Sequence, residues 1–168
     1  TEKSYHRKVP LIVHFFKGLG VSARVLHEFD EVPTHSKIQE EIGKSSLIYT
    51  MGGNTPHLIK NLREHGTDEI LMEAVKKGET VHAGTSAGAL LFFNQAHTCP
   101  AKNPNLEAWD YEYLTALGLI NGVGTAHANK HDPVNGGRRA DSRLEALVAT
   151  FPPELSVGYA IDNNAAVI

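Results

Sequence analysis

The sequence predicts an α/β protein, a three-layer sandwich whose mainly parallel sheet is covered by helices on both faces. Three observations carry this. Compact apolar runs alternate with segments of helical periodicity, the pattern of strands joined by crossover helices. Glycine-bearing turns, "MGGNTP" and "GTSAGA", sit where a strand-like run gives way to a helix-like one. No repeat, low-complexity tract or composition shift divides the chain, so residues 1–168 read as one domain.

The elements follow in order. "SYHRKVPLIVHFFKGLG" puts Val9, Ile12, Val13 and Phe16 on one face, with Gly18 or Gly20 as the stop. Pro10 is best tolerated in a first turn, so the helix is expected to begin close to it. "SARVLHEF" alternates and reads as a strand, and "THSKIQEEIGK" as a short helix capped by Thr34 or Ser36. "SLIYT" is a strand running into "MGGNTP". "PHLIKNLREHG" and "DEILMEAVKKG" read as two helices, the second from Asp68 to Gly78. "TVHAG" is the next strand and "AGALLFFNQA" the helix after it. Residues 94–112 read as an irregular excursion. "GVGTAH" reads as a strand, "RADSRLEALVATF" as an amphipathic helix, and "LSVGYAI" and "AAVI" as closing strands.

Composition narrows the functional classes. Hydrophobic residues make up 41% and charged residues 21%, and the net charge is -3, so neither a nucleic-acid nor an anionic-membrane partner is indicated. Lysines and arginines are scattered apart from "GGRRADSR". No apolar run approaches the roughly 20 residues that span a bilayer. The single cysteine, Cys99, excludes an internal disulfide and fits a reducing compartment. It lies in a polar, proline-bearing stretch and reads as a loop thiol. With no signal-peptide pattern at the start, a cytoplasmic location is the expectation.

The chemistry-bearing candidates begin with Ser86 in "TVHAGTSAGALLFF". A nucleophilic serine on a strand–turn–helix elbow takes a strained backbone angle and needs small neighbours, which Gly84, Ala87 and Gly88 supply. An elbow serine also needs two backbone N–H donors for the oxyanion. Ala87 offers one, and Gly52 or Gly53 of the "MGGNTP" turn the other. That turn also carries Asn54 and Thr55, either a helix N-cap or a contact to substrate.

Histidine titrates in the range a serine's base requires. Of ten histidines, His127 ends a predicted strand and so projects from the same sheet edge as Ser86. His131 follows four residues later, and His127, His131 and Asp132 form an alternative metal set. Against that set, "NKHDP" does not read as a helix that would bring them to one face. Asp162 in "YAIDNN" follows a strand and is placed to hold the imidazole, although Asp and Asn are also ordinary turn residues.

"MGGNTPHLIKNLREHGTDEILMEAVKKGETVHAGTSAGA", together with His127 and "GGRRADSRLEALV", resembles the aspartyl dipeptidase (dipeptidase E) and cyanophycinase family of serine peptidases. The likeness runs from about residue 20 to the end. It implies a fold akin to the class-I glutamine amidotransferases, and hydrolysis of short acidic peptides without metal or organic cofactor. The implied roles are Ser86 as nucleophile, His127 as base, Gly53 and Ala87 as oxyanion donors, and Asp162 as the carboxylate. Arg138, Arg139 and Arg143 are placed to bind a substrate carboxylate, or else mark a solvated helix start.

Two departures from the family stand out. Its members usually open with a further strand and continue past "AAVI", so this chain reads as incomplete at both ends. A sheet without its first strand exposes an edge, which a second copy or a partner segment is expected to cover. "TAHANKHDP" also replaces the family's usual Pro-His-Tyr around the base. Two rival readings remain at this level: an α/β-hydrolase-type esterase using Asp110, and an inactive binding or scaffold protein on the same fold.

Overall fold

A computed structural model describes residues 2–26, 32–98, 112–131, 137–138, 151–153 and 156–168. Among these the chain runs α1 (Glu2–Gly18), α2 (His35–Gly43), β1 (Leu47–Thr50), α3 (Thr55–Glu64), α4 (Thr67–Lys77), β2 (Val81–Gly84), α5 (Ala87–Leu90), β3 (Phe93–Thr98), β4 (Glu112–Thr115), β5 (Ile120–Ala126) and β6 (Gly158–Ile161). The strands form a parallel pair, β1–β2, and a four-stranded sheet ordered β4-β3-β5-β6. In the larger sheet β3–β5 and β5–β6 are parallel, and β4 pairs antiparallel along the β3 edge. The short helix α5 touches β1, β2, β3 and β5, so it joins the two groups of strands.

Local chemistry explains most helix ends. Thr34 caps α2 by accepting from Lys37 N, and Asn54 caps α3 by accepting from His57 N at 2.9 Å. The first turn of α4 carries Asp68 and Glu69 and its last turn Lys76 and Lys77, matching the helix dipole at both ends. Gly78 ends it in the left-handed conformation at φ 69°. Replacing Asn54 with alanine removes one cap bond and is expected to cost about 1 kcal/mol. In a domain of this size that lowers Tm by roughly 2–4 °C, readable by thermal melting.

The core is shared by the helices and the larger sheet. Ile38 and Ile42 of α2, Ile59 and Leu62 of α3, and Ile70 and Leu71 of α4 meet Leu90, Leu91, Phe93 and Ala96. Helix α1 packs through Val9 and through Phe16, whose ring lies 5.6 Å from that of Tyr49 on β1. Leu11 and Phe15 of α1, and Leu19 just after it, are exposed. No described helix is long and apolar enough to cross a membrane.

Several expectations are corrected. Helix α1 starts at Glu2, with Pro10 inside it. A proline disrupts the ladder only locally, and burial of Val9 and Phe16 on one face holds the two turns in line. The expected helix "AGALLFFNQA" stops at Leu90, and Phe93–Thr98 is instead the inner strand β3. A short apolar run fits either element, and here bulky Phe93, 2% exposed, is buried between β4 and β5. Residues 165–168, expected as a strand, have no regular structure. Of "SARVLHEF", residues 22–26 run without regular structure, tied to α2 by Arg24 Nε on Glu41 at 2.7 Å, and the rest lies outside the described residues. Most of the predicted excursion and of the "RADSRLEALVATF" helix also lies outside them.

Candidate active site

Two pairs of parallel strands end at matched levels. Thr50 is the register partner of Gly84, and Ala126 that of Ile161. The residues that follow them therefore emerge from the carboxyl ends of strands, where ligands of open α/β sheets bind. From β1 comes the Met51–Gly52–Gly53 turn, from β2 Thr85–Ser86, from β5 His127, and from β6 Asp162–Asn163.

The turn after β2 is the elbow that the sequence suggested. Ser86 has φ 53° and ψ -120°, a conformation costly for a non-glycine residue. Thr85 N donates to Thr50 O at 3.1 Å, and Gly88 N donates back to Thr85 O at 2.9 Å, tightening the turn. The two glycines of Gly-x-Ser-x-Gly are there for space. A Cβ on Gly84 would lie 2.3 Å from Gly88 O, and one on Gly88 only 2.1 Å from Thr50 O. Gly52 closes in from β1, since a Cβ there would stand 2.7 Å from Ser86 Cβ. Gly53, one residue further on, faces open space.

His127 reaches this elbow. Its Nε2 lies 2.9 Å from Ser86 Oγ, and both residues are half-buried. The backbone at His127 takes φ 58°, turning the chain sharply off β5. Ala128 N donates to Ile161 O at 3.0 Å, so the turns after β5 and β6 continue the pairing of the two strands. On the far side of the imidazole, Nδ1 meets Oδ1 of Asn163 at 2.5 Å. Asn163 N in turn donates to Asn129 Oδ1 at 3.0 Å.

The structure therefore brings Ser86, Ala87 and His127 together with Gly52 against the serine, leaves Gly53 one residue further along the turn, and puts Asn163 on the imidazole in place of Asp162. Asp162 is exposed. The reason is the turn that follows β6: Ala165 N donates to Asp162 O at 3.3 Å, so Asp162 opens the turn and Asn163, its next residue, meets the imidazole. In the sequence Asn163 reads as an ordinary turn residue, and nothing there singles out Asn129. The only signal for Asn163 was its position directly after the chosen aspartate.

The remaining expected contacts divide. Asn54 serves as the α3 cap, and Thr55 is buried, accepting from Thr98 Oγ1 at 3.0 Å. The Thr55 side chain thus props the turn from within rather than facing a substrate. Arg138 is exposed and its backbone forms an isolated bridge with that of His131, which is exposed as well. Cys99, Asp110, Asp132, Arg139 and Arg143 lie outside the described residues. Among the described residues no group of three His, Cys, Asp or Glu comes together as a metal site. A groove of about 370 Å³ beside Arg63, Glu69 and Leu117 includes none of the elbow residues.

Fold and site together define an α/β protein with a serine elbow and a histidine on the serine hydroxyl. The chain belongs to peptidase family S51, whose family model matches residues 2–168. It is 33% identical over 155 residues to the uncharacterized peptidase YgaJ of Bacillus subtilis, covering 86% of this chain and 60% of that protein. It is 33% identical over 115 residues to the uncharacterized peptidase Lmo0363 of Listeria monocytogenes, covering 67% of this chain and 55% of that one. A solved structure from Listeria monocytogenes, described as a candidate peptidase E protein, superposes with a TM-score of 0.53 at 24% identity. That match covers 68% of this chain and 55% of the other, and shows a shared fold. The chain thus spans 60% and 55% of the lengths of the two curated relatives.

Proposed function

We propose that this chain carries the nucleophile and base of a serine peptidase that hydrolyses short peptides, with acidic dipeptides bearing an N-terminal aspartate as the preferred class. One observation supports the reaction type above the others. An imidazole nitrogen sits 2.9 Å from a serine oxygen held on a strained strand–helix turn. In the proposed cycle His127 Nε2 takes the proton of Ser86 as Oγ attacks the peptide carbonyl. The N–H groups of Gly53 and Ala87 stabilise the oxyanion, with Gly53 left open to solvent beside the elbow. His127 then protonates the leaving amine, and water attacks the acyl-serine to regenerate the hydroxyl. Preference for acidic substrates rests on the family resemblance and on Arg138 with Arg139, whose guanidinium groups suit a carboxylate.

A fluorophosphonate probe tests the reading directly, because it reacts only with an activated serine. Labelling is expected on the peptide containing Ser86 and nowhere else. A panel of dipeptides then ranks Asp-Xaa above uncharged and basic ones. A folded protein that takes no label would favour the second reading, an inactive binding protein on the same fold. One feature speaks for that alternative: the base is held by an amide where a carboxylate would stabilise the imidazolium.

A further inference from the structure

We infer that Asn163 is the positioning residue that sets the working tautomer of His127, a neutral amide doing the orienting part of a carboxylate's task, and that Asn129 holds it in place. The inference rests on the Ser86–His127 reading above and names what makes that pair competent. For Nε2 to accept the serine proton it must carry a lone pair, so the imidazole proton must sit on Nδ1. Imidazole left to water prefers the opposite arrangement. An acceptor on Nδ1 is therefore required, and Asn163 Oδ1 is that acceptor. A carbonyl oxygen only accepts, so in this geometry it bonds to protonated Nδ1 and to nothing else on the ring.

The placement is built into the backbone. Ala128 N to Ile161 O and Asn163 N to Asn129 Oδ1, each at 3.0 Å, fasten the turn after β6 to the turn after β5. Asn164 follows with φ 64°, which swings the chain away immediately after the contact. Asparagine in this position fixes ring orientation and tautomer but supplies no counter-charge for the imidazolium. Cysteine peptidases with a Cys-His-Asn set show that an amide suffices for the first two tasks.

The tautomer is measurable without any substrate. Nitrogen-15 spectra of the histidine rings, with the His127 signals assigned by their absence in His127→Gln, are expected to show a proton on Nδ1 in the neutral form. Asn163→Ala is expected to move most of that population to Nε2–H. Asn163→Asp, which keeps an oxygen at the same reach, is expected to retain Nδ1–H. In hydrolysis of an Asp-Xaa dipeptide, Asn163→Ala should lose kcat by about 10- to 1,000-fold with KM within about twofold, given that full loss of the working tautomer costs a serine peptidase about 10⁴. Asn163→Asp should restore kcat to the parent value or above it. An Nε2–H tautomer in the unmodified protein overturns the proposal, as does an unchanged tautomer in folded Asn163→Ala. Should the Nδ1–H tautomer be found in a protein that neither hydrolyses peptides nor takes the fluorophosphonate, the peptidase reading fails and this one stands.

Discussion

Replacing Ser86 with alanine is expected to lower peptide hydrolysis by about 10⁴- to 10⁶-fold and to abolish fluorophosphonate labelling, while the protein unfolds within about 1 kcal/mol of the parent. The first half follows from the roles of the pair: without Oγ no acyl-enzyme forms, and the rate that remains comes from oxyanion stabilisation and binding alone. The second half follows from what the side chain does structurally. Ser86 makes no side-chain cap bond to α5, and its hydroxyl faces a half-buried imidazole, so alanine leaves no buried donor stranded. Alanine also keeps the strain at φ 53°, since it too has a Cβ. Ser86→Gly removes that strain and should be more stable than Ser86→Ala by roughly 1 kcal/mol, with equally little activity. Urea unfolding beside a dipeptidase assay reads both quantities. Near-parental turnover in folded Ser86→Ala would remove the nucleophile assignment.

How much of this was visible in the sequence depends on the range of the interaction that decides each feature. Helices α2, α3 and α4 were legible because their caps and stops are local: Thr34, Asn54 and Gly78 act within a few residues of themselves. The elbow was legible for the same reason, as Gly84, Ser86 and Gly88 answer to one turn. Strand β3 was not. Its residues Phe93–Thr98 continue a helical pattern from Ala87, and pairing with β4 and β5 on its two sides decides the matter. Residues 165–168 erred the other way, since "AAVI" has strand composition but no described partner strand. The third group on the imidazole is set by the register between the turns after β5 and β6. Sequence reading placed that group within one residue, which is also the step that separates a charge from a neutral amide.

Gly88→Ala is expected to produce the largest loss of stability of any single methyl added at the site. Its Cβ would lie 2.1 Å from the carbonyl oxygen of Thr50 and 2.9 Å from that of Met51, and both obstacles are backbone. Thr50 cannot yield freely: it is the last residue of β1, is paired with Gly84, and accepts from Thr85 N. Relief therefore requires α5 to move off the β1–β2 pair, which breaks the packing that joins the two groups of strands. Overpacking of this kind costs about 3 kcal/mol or more, or roughly 6–12 °C in Tm for a domain of this length. The displaced elbow would also carry Ser86 away from His127, so activity should fall with stability. Gly53→Ala is the matched control. Nothing lies within 4 Å of the added Cβ, and the stability change should stay within about 0.5 kcal/mol. If Gly53 donates to the oxyanion, the added methyl crowds substrate and hydrolysis alone declines. A Gly88→Ala protein melting within about 2 °C of the parent would show that the close approach of β1 to α5 does not hold the elbow in place.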